Sequence, residues 1–362
     1  MKKTCRIGLF RKLQLMLLLA ILPQLGAAYD FMADGLCYNI NEDGKTVTVT
    51  CECEILFNTS YPSYKNLVGT LTIPSTATYG NTTYIVTKIG EDAFFRCRDL
   101  SNVAIPNSVT EIDQRAFNQC ISLTALTIPN SVTKIGFAAF SNCIGLRGLT
   151  ISNSLTKIDK FTFNECKNLR SVLIPNSVTE IDDCAFTDCI NLTEVTIPNS
   201  VTEIGNNAFL GCISLKEVII PESVTVIGSN VFKFCTGMKS VILPKFMTEI
   251  GSATFMGCSK LEEVIIPESV TEISEAIFEG CTNLTKVIIP NSATEIGFMA
   301  FYDCISLKEV NIPNSVTKIG YSAFNGCISL TKVTIPKLLI DNLEDNVFGG
   351  CDHIKDFIIT ED

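Results

Sequence analysis

The chain has 362 residues, 46% of them hydrophobic and 18% charged, with 17 cysteines, one histidine, His353, and no tryptophan. That apolar content excludes a disordered or collagen-like chain, and a chain of this length buries a core without staples, so the cysteine count alone does not make it a small disulfide scaffold. The formal net charge is −10, which disfavours nucleic acid and anionic lipid as partners.

Residues 1–28 read as an export signal. Lys2, Lys3, Arg6, Arg11 and Lys12 form a basic start, Leu13 to Leu22 an apolar stretch too short to span a bilayer, and Gly26, Ala27 and Ala28 a small-residue cleavage site. Removal of the five basic residues leaves 23 basic against 38 acidic residues, a net charge of −15. The remaining sequence has no run of 18 or more apolar residues, so the expectation is a secreted or cell-surface chain with no membrane span after cleavage. Residues 29–85 carry hairpin signals, L-C-Y-N-I, the turn N-E-D-G and the alternating K-T-V-T-V-T-C-E-C-E-I, and read as a β-rich N-terminal cap.

From residue 86 the sequence repeats itself. Cys97, Cys120, Cys143 and every 23rd residue onward to Cys327 are cysteine, with Cys351 following after 24. Phenylalanine keeps the same beat three residues earlier, from Phe94 to Phe348. Length alone suggests two or three domains of about 150 residues, but a period of 23 residues means stacked units that share one core, and so a single rod.

Within the unit C-I-S-L-K-E-V-I-I-P-E-S-V-T-V-I-G-S-N-V-F-K-F (Cys212 to Phe234), Val218 and Ile220 alternate with outward residues as a short strand that Pro221 ends. S-V-T-x-I-G reads as a second, shorter strand with glycine at a bend. The Ala208, Phe209, Cys212, Leu215 spacing suits a turn or two of helix. The fold class is therefore a leucine-rich-repeat solenoid, mainly β with short helical turns, of about twelve 23-residue coils capped at both ends. The repeats run over 86–336, and residues 337–362 form a degenerate closing repeat whose polar end, Thr360 to Asp362, is expected to shield the last apolar layer.

The unit I-P-N-S-V-T-x-I-G-x-x-A-F-x-x-C-x-x-L-x-x-V resembles the BspA-like leucine-rich repeats, the LRR_5 class, over residues 86 to about 357. The segment from Tyr29 to Tyr84 looks like the cap of secreted members in Bacteroides and related bacteria. The resemblance implies a cell-surface or secreted protein that binds host matrix or other cells. Local departures are Ser152 at the strand-ending proline position, Met238 at the leucine position, and Lys245-Phe246 where Asn/Glu-Ser is usual.

One cysteine per coil reads as a buried small hydrophobe, because in-register side chains point the same way rather than at one another. A lone histidine and no clustered C-x-x-C pairs leave no metal site in this reading. Cys37, Cys51 and Cys53 sit on facing segments of an exported cap, so a disulfide from Cys37 to Cys51 or Cys53 is expected. The chain carries no G-x-S-x-G, H-E-x-x-H, G-x-x-x-x-G-K-[ST] or G-x-G-x-x-G motif, and the reading is of no enzyme and no cofactor.

The binding candidate is the outward row of the main strand: Leu173, Thr196, Ile219, Ile242, Ile265, Ile288, Asn311 and Thr334. Its isoleucine stripe is rimmed by the row that includes Glu217, Glu263 and Lys286, a pattern that fits docking of a protein partner. A carbohydrate- or cell-wall-binding module is the alternative, with the absence of tryptophan against it. A second row, Glu180, Glu203, Val226, Glu249, Glu272 and Glu295, interrupted elsewhere by Lys134, Lys157 and Lys318, reads as a solvated face, and the Thr110, Thr133, Thr156, Thr179 ladder beside it as hydrogen-bonded between coils.

Overall fold

A computed structural model describes residues 29–52, 64, 66–341, 343 and 346–361. The export segment read over residues 1–28, and Cys53, lie outside the described residues. The described chain is a β-solenoid of about twelve coils.

Its start is an antiparallel ribbon of β1 (Phe31–Ala33), β2 (Leu36–Ile40) and β3 (Thr46–Thr50). The turn at Asn41 to Gly44 is held by the Asp43 carboxylate, which accepts from the Lys45 and Thr46 N–H groups at 2.9 Å. After β4 (Gly69–Thr72), strand β5 (Thr76–Tyr79) forms a hairpin with β6 (Thr82–Ile89). Two junctions join this ribbon to the solenoid, each parallel. Strand β3 pairs with β6, whose end pairs in turn with β8 (Glu111–Ile112), and β4 pairs with β7 (Leu100–Ala104).

From there each coil contributes one strand to each of two parallel walls. The first carries three-residue strands such as Glu217–Ile219 and Ser240–Ile242, paired at a register of 23, with Val218 on Val241 and Ile219 on Ile242. The second carries two-residue strands such as Glu203–Ile204 and Val226–Ile227. Short strands suffice because they pair in register from coil to coil and period-2 alternation buries one face.

The remaining stretch of each coil is not helical, and this corrects the expected helical turn. Among the described residues only α1 (Lys337–Ile340) is α-helix. The eleven repeats from Asp92 to Gly326 instead each place two residues four apart in the left-handed region, such as Arg115 (φ 54°) and Gln119 (φ 62°), or Asn207 (φ 57°) and Gly211 (φ 72°). A left-handed residue ends an α-helical run, so the stretch becomes successive reverse turns, as in Phe95 N–H to Asp92 O and Cys97 N–H to Phe94 O. Its free amides are satisfied between coils: Arg115, Phe117 and Gln119 donate to Phe137, Ala139 and Ser141 of the next coil. The apolar spacing that suggests a helix arises because this turn-built wall also buries every third or fourth side chain.

The core inside these walls is a column. Twelve phenylalanines from Phe94 to Phe348 follow one another with ring centroids 5.0–5.8 Å apart and planes within 3–19° of parallel. The separation exceeds a face-to-face contact, so the rings overlap in the offset manner aromatic pairs favour. Beside them runs the cysteine ladder. From Cys120 to Cys351, each Sγ lies 3.2–3.4 Å from the carbonyl oxygen of the preceding coil's phenylalanine. The thiols therefore do more than fill space: each donates a weak hydrogen bond to a carbonyl deep in the core. Burial pushes the thiols from Cys120 to Cys304 up, Cys143, Cys189 and Cys258 to about 12.

Glycine in the I-G step serves close approach. Its φ is ordinary, but a Cβ on Gly251 would lie 2.4 Å from the Gly228 carbonyl carbon, and one on Gly136 2.6 Å from the Gln114 nitrogen. The departures from the repeat are absorbed locally. Ser152 is fully buried and donates its hydroxyl to Val132 O at 2.7 Å, Met238 fills the leucine site, and the Lys245 ammonium lies 4.7 Å from the exposed Phe246 ring.

At the N-terminal end Tyr64 caps the column. Its ring stacks 5.5 Å from Phe94, and its hydroxyl donates to Thr50 O at 2.5 Å and accepts from Cys37 N–H at 3.0 Å. In the closing repeat, strand Asp356–Thr360 pairs with Lys332–Pro336, and Phe357, Ile358 and Ile359 are 43–49% exposed; Asp362, the last residue of the expected polar end, lies outside the described residues.

Two outcomes follow from the column. Phe232→Ala opens a cavity between two rings and is expected to lower the unfolding free energy by about 3–5 kcal/mol, measured by urea denaturation. Because the folded thiols are raised above their ordinary value of 9.0, they contribute stability that is complete below that pH and lost as pH climbs toward about 12. Thermal melting should therefore be level from about pH 6 to 8 and fall steeply above about pH 9; a melting temperature still level at the alkaline end would contradict the buried ladder.

Candidate functional site

The outward row of the main wall is built by strand alternation alone. Val218 and Ile220 are 2% exposed, and Ile219 between them is 63% exposed. Ile242, Ile265 and Ile288 repeat that position at 58%, 60% and 40%. The four isoleucines belong to one four-stranded sheet, Glu217–Ile219, Ser240–Ile242, Glu263–Ile265 and Lys286–Ile288. The ladder is interrupted on either side of that sheet, where Thr196 and Asn311 take over the row. The stripe thus coincides with one four-stranded stretch of parallel sheet.

All three sequence-predicted rim residues lie on this face and are exposed. Glu263 and Lys286 form an ion pair, Nζ to Oε1 2.7 Å, in direct register across neighbouring strands, while Glu217 faces Ser240. Next to the stripe, Lys286, Ile288, Glu309, Asn311, Lys332 and Thr334 line a shallow groove of about 370 Å³. No aromatic residue occupies the outward row from Leu173 to Thr334.

The second wall is less acidic in effect than its sequence suggests, because its lysines pair with their neighbours in the stack. Lys134 bonds Glu111 at 2.6 Å, Lys157 bonds Glu180 and Asp182 at 2.7 Å each, and Lys318 pairs with Glu295. Burial opposes the charge on Lys157, but the hydrogen bonds it donates to Asp182 and Glu180 outweigh it and hold its pKa above the ordinary lysine value. Val226 separates Glu203 from Glu249. Sequence reading treats the lysines as interruptions; their spacing of one repeat from a carboxylate is the signal for the pairs. The threonine ladder beside them is bonded between coils as expected, Thr133 Oγ1 donating to Thr110 O at 3.3 Å and Thr202 Oγ1 to Thr179 O at 3.3 Å.

In the cap, Cys37 lies opposite Thr50 in the antiparallel register, which sets Cys51 one residue beyond it, and both are buried. Cys184, off the repeat register, has a left-handed backbone (φ 57°) and is partly exposed. His353 is exposed in the closing coil. Among the described residues no helix is long and apolar enough to cross a membrane.

The family model for the BspA type leucine rich repeat region matches residues 75–193, 156–285 and 271–362. The chain belongs to this family. Its repeats align with solved structures over nearly their whole length. A leucine-rich repeat protein from Bacteroides ovatus is 29% identical, with 92% of this chain and 100% of that one covered at a TM-score of 0.60. A leucine rich cell surface protein from Faecalibacterium prausnitzii is 30% identical, with 91% and 94% covered at 0.61. The pneumococcal vaccine antigen PcpA, 21% identical over 93% of this chain and 89% of its own, shares the fold at 0.57. No curated protein matches the chain. Bacterial BspA-type leucine-rich repeats are repeat scaffolds, and the solenoid with its outward row is this chain's version of that architecture.

Proposed function

We propose that this chain is an exported, non-enzymatic scaffold that binds a protein partner on host matrix or on another cell through the isoleucine stripe. The observation that carries the reading is the exposure of Ile219, Ile242, Ile265 and Ile288, 40–63%, on one continuous four-stranded sheet. Contiguous apolar surface with a charged rim is what a protein interface presents before it is covered. β-propensity explains isoleucine in a strand, yet it acts equally on Thr196, Asn311 and Thr334, whose coils do without it. Parallel walls hold the stripe rigid, so docking costs little ordering entropy. Carbohydrate is the less favoured ligand, because sugar recognition stacks rings on aromatic platforms and the outward row has none. The basic start and short apolar stretch of residues 1–28 support export, as does the similar leucine rich cell surface protein from Faecalibacterium prausnitzii. In an oxidising compartment a disulfide from Cys37 to Cys51 or Cys53 belongs to the same reading.

The double variant Ile242→Lys with Ile265→Lys is expected to weaken binding to immobilised matrix proteins or to partner cells by about 100-fold, while shifting the melting temperature by no more than about 2 °C. Binding that survives both substitutions, or a glycan array that binds the chain while every protein surface fails to, would sink the reading. Peptide mapping under non-reducing conditions should recover one cross-linked peptide pair containing Cys37, and Cys37 recovered only as a thiol would contradict the cap disulfide.

A further inference from the structure

The charges beside the isoleucine stripe follow a two-fold pattern. Two residues before the isoleucines stand Glu217, Ser240, Glu263 and Lys286, and three residues after them Glu222, Lys245, Glu268 and Asn291, all exposed. Both rows flank the outward row on one face. Lys286 and Glu309 of the first share a groove with Ile288 and Asn311, and farther along the wall Asn130 and Asn153 of the second share one with Thr127, Thr150 and Leu173. The midpoint of the stripe falls between Ile242 and Ile265. Turned about that midpoint, Ile219 exchanges with Ile288 and Ile242 with Ile265, Glu217 exchanges with Lys286, and Lys245 with Glu268. The other exchanges, Ser240 with Glu263 and Glu222 with Asn291, set a charge against a neutral residue. One coil farther out Glu194 exchanges with Glu309, so the complementarity ends where Thr196 and Asn311 end the apolar row. Among the described residues Glu217, Lys245 and Glu268 take part in no ion pair.

We propose, resting on the reading of this stripe as the docking surface, that the partner on the other cell is a second copy of the chain, set face to face about a two-fold axis that runs along the strands between Ile242 and Ile265. The two solenoids then run in opposite directions and isoleucine lies on isoleucine across the four-stranded sheet. The contact is isologous, so Glu217 of each copy meets Lys286 of the other, and Lys245 of each meets Glu268 of the other. Neighbouring arrangements are disfavoured by charge. An axis moved onto Ile242 sets Glu217 on Glu263 and Lys245 on its own copy, and one moved onto Ile265 sets Glu263 and Glu268 each on its own copy. Solenoids run in the same direction bring Glu217 toward Glu222 and Glu263 toward Glu268. Like charges brought together across an interface reject that pairing, so one register and one direction are selected. An unrelated partner would impose no such symmetry on the surface it meets. The sheet spans about 15 Å along the stack for parallel strands, so a single pair of copies binds weakly and adhesion comes from many pairs engaged at once.

Sedimentation equilibrium of the full chain, loaded at about 1 to 100 μM, tests this. The expected result is a monomer–dimer equilibrium that Ile242→Lys with Ile265→Lys abolishes. Lys245→Glu alone, and Glu268→Lys alone, each set like charges together twice across the axis and should raise the dissociation constant about tenfold or more. An equimolar mixture of the two variants should associate as tightly as the unaltered chain, because both contacts in a mixed pair are again opposite in charge. Lys245 and Glu268 are exposed, and unchanged melting of each variant separates loss of pairing from loss of fold. A monomer over the whole range, a dimer indifferent to the isoleucine substitutions, or a mixture that associates no better than its components would each overturn the second copy as partner. The docking surface fails by a different result, binding to matrix proteins or partner cells that survives the isoleucine substitutions; a monomeric chain whose binding is lost with them keeps that surface and refutes only the second copy.

Discussion

The phenylalanine column sets the geometry to which every other feature is subordinate. Parallel strands stack at about 4.8 Å, and aromatic rings in successive coils come to 5.0–5.8 Å, so one ring per coil fills the interior only when each coil returns to the same place. That requirement imposes one fixed repeat length, admits glycine where Gly251 meets Gly228, and sets a buried thiol beside the rings in each coil. The thiol also adds a bond: the phenylalanine carbonyl it meets already accepts the N–H of the cysteine three residues on, and an Sγ at 3.2–3.4 Å is a second, weak donor to it.

A surface follows from the same constraint. Because coils superpose, any outward residue type that recurs becomes a row, and its consequences are multiplied by the number of coils. The second wall shows how charge is managed under that multiplication. Glu111, Glu180 and Glu295 each have a lysine one coil away, and Val226 parts two other glutamates. On the main wall the same multiplication applied to isoleucine yields an apolar stripe with one internal ion pair, Glu263 with Lys286, along its rim. The stripe needs no special fold of its own. It is the ordinary outward position of the repeat occupied by apolar residues in four coils running.

The period, both sets of strands, the buried cysteine ladder and the outward row were legible in the sequence, because side-chain alternation and a fixed repeat are properties that residues display directly. The third wall was not. Ala208, Phe209, Cys212 and Leu215 have the spacing of a helix face, and only the backbone reveals that Asn207 and Gly211 are left-handed and that the stretch is made of turns. Non-glycine residues such as Arg115 or Phe161 hold that conformation because the next coil over-determines it by hydrogen bonds, a tertiary effect without a local signal. Tyr64 also escaped notice, since it lies outside the 23-residue register and reaches the column from the cap. The I-G glycine was read as a bend and proves to be a contact.

The claim that the isoleucine stripe is the docking surface is tested most directly by a photoreactive amino acid placed at position 242, in the full chain on the cells that display it. A second probe at position 202, also exposed and next to the other wall's strand Glu203–Ile204, serves as the comparison. The account predicts one discrete protein adduct from position 242 that the position 202 probe does not form and that unlabelled chain competes away. The same adducts from both positions, or none from position 242 under conditions where the cells bind the partner, would contradict it.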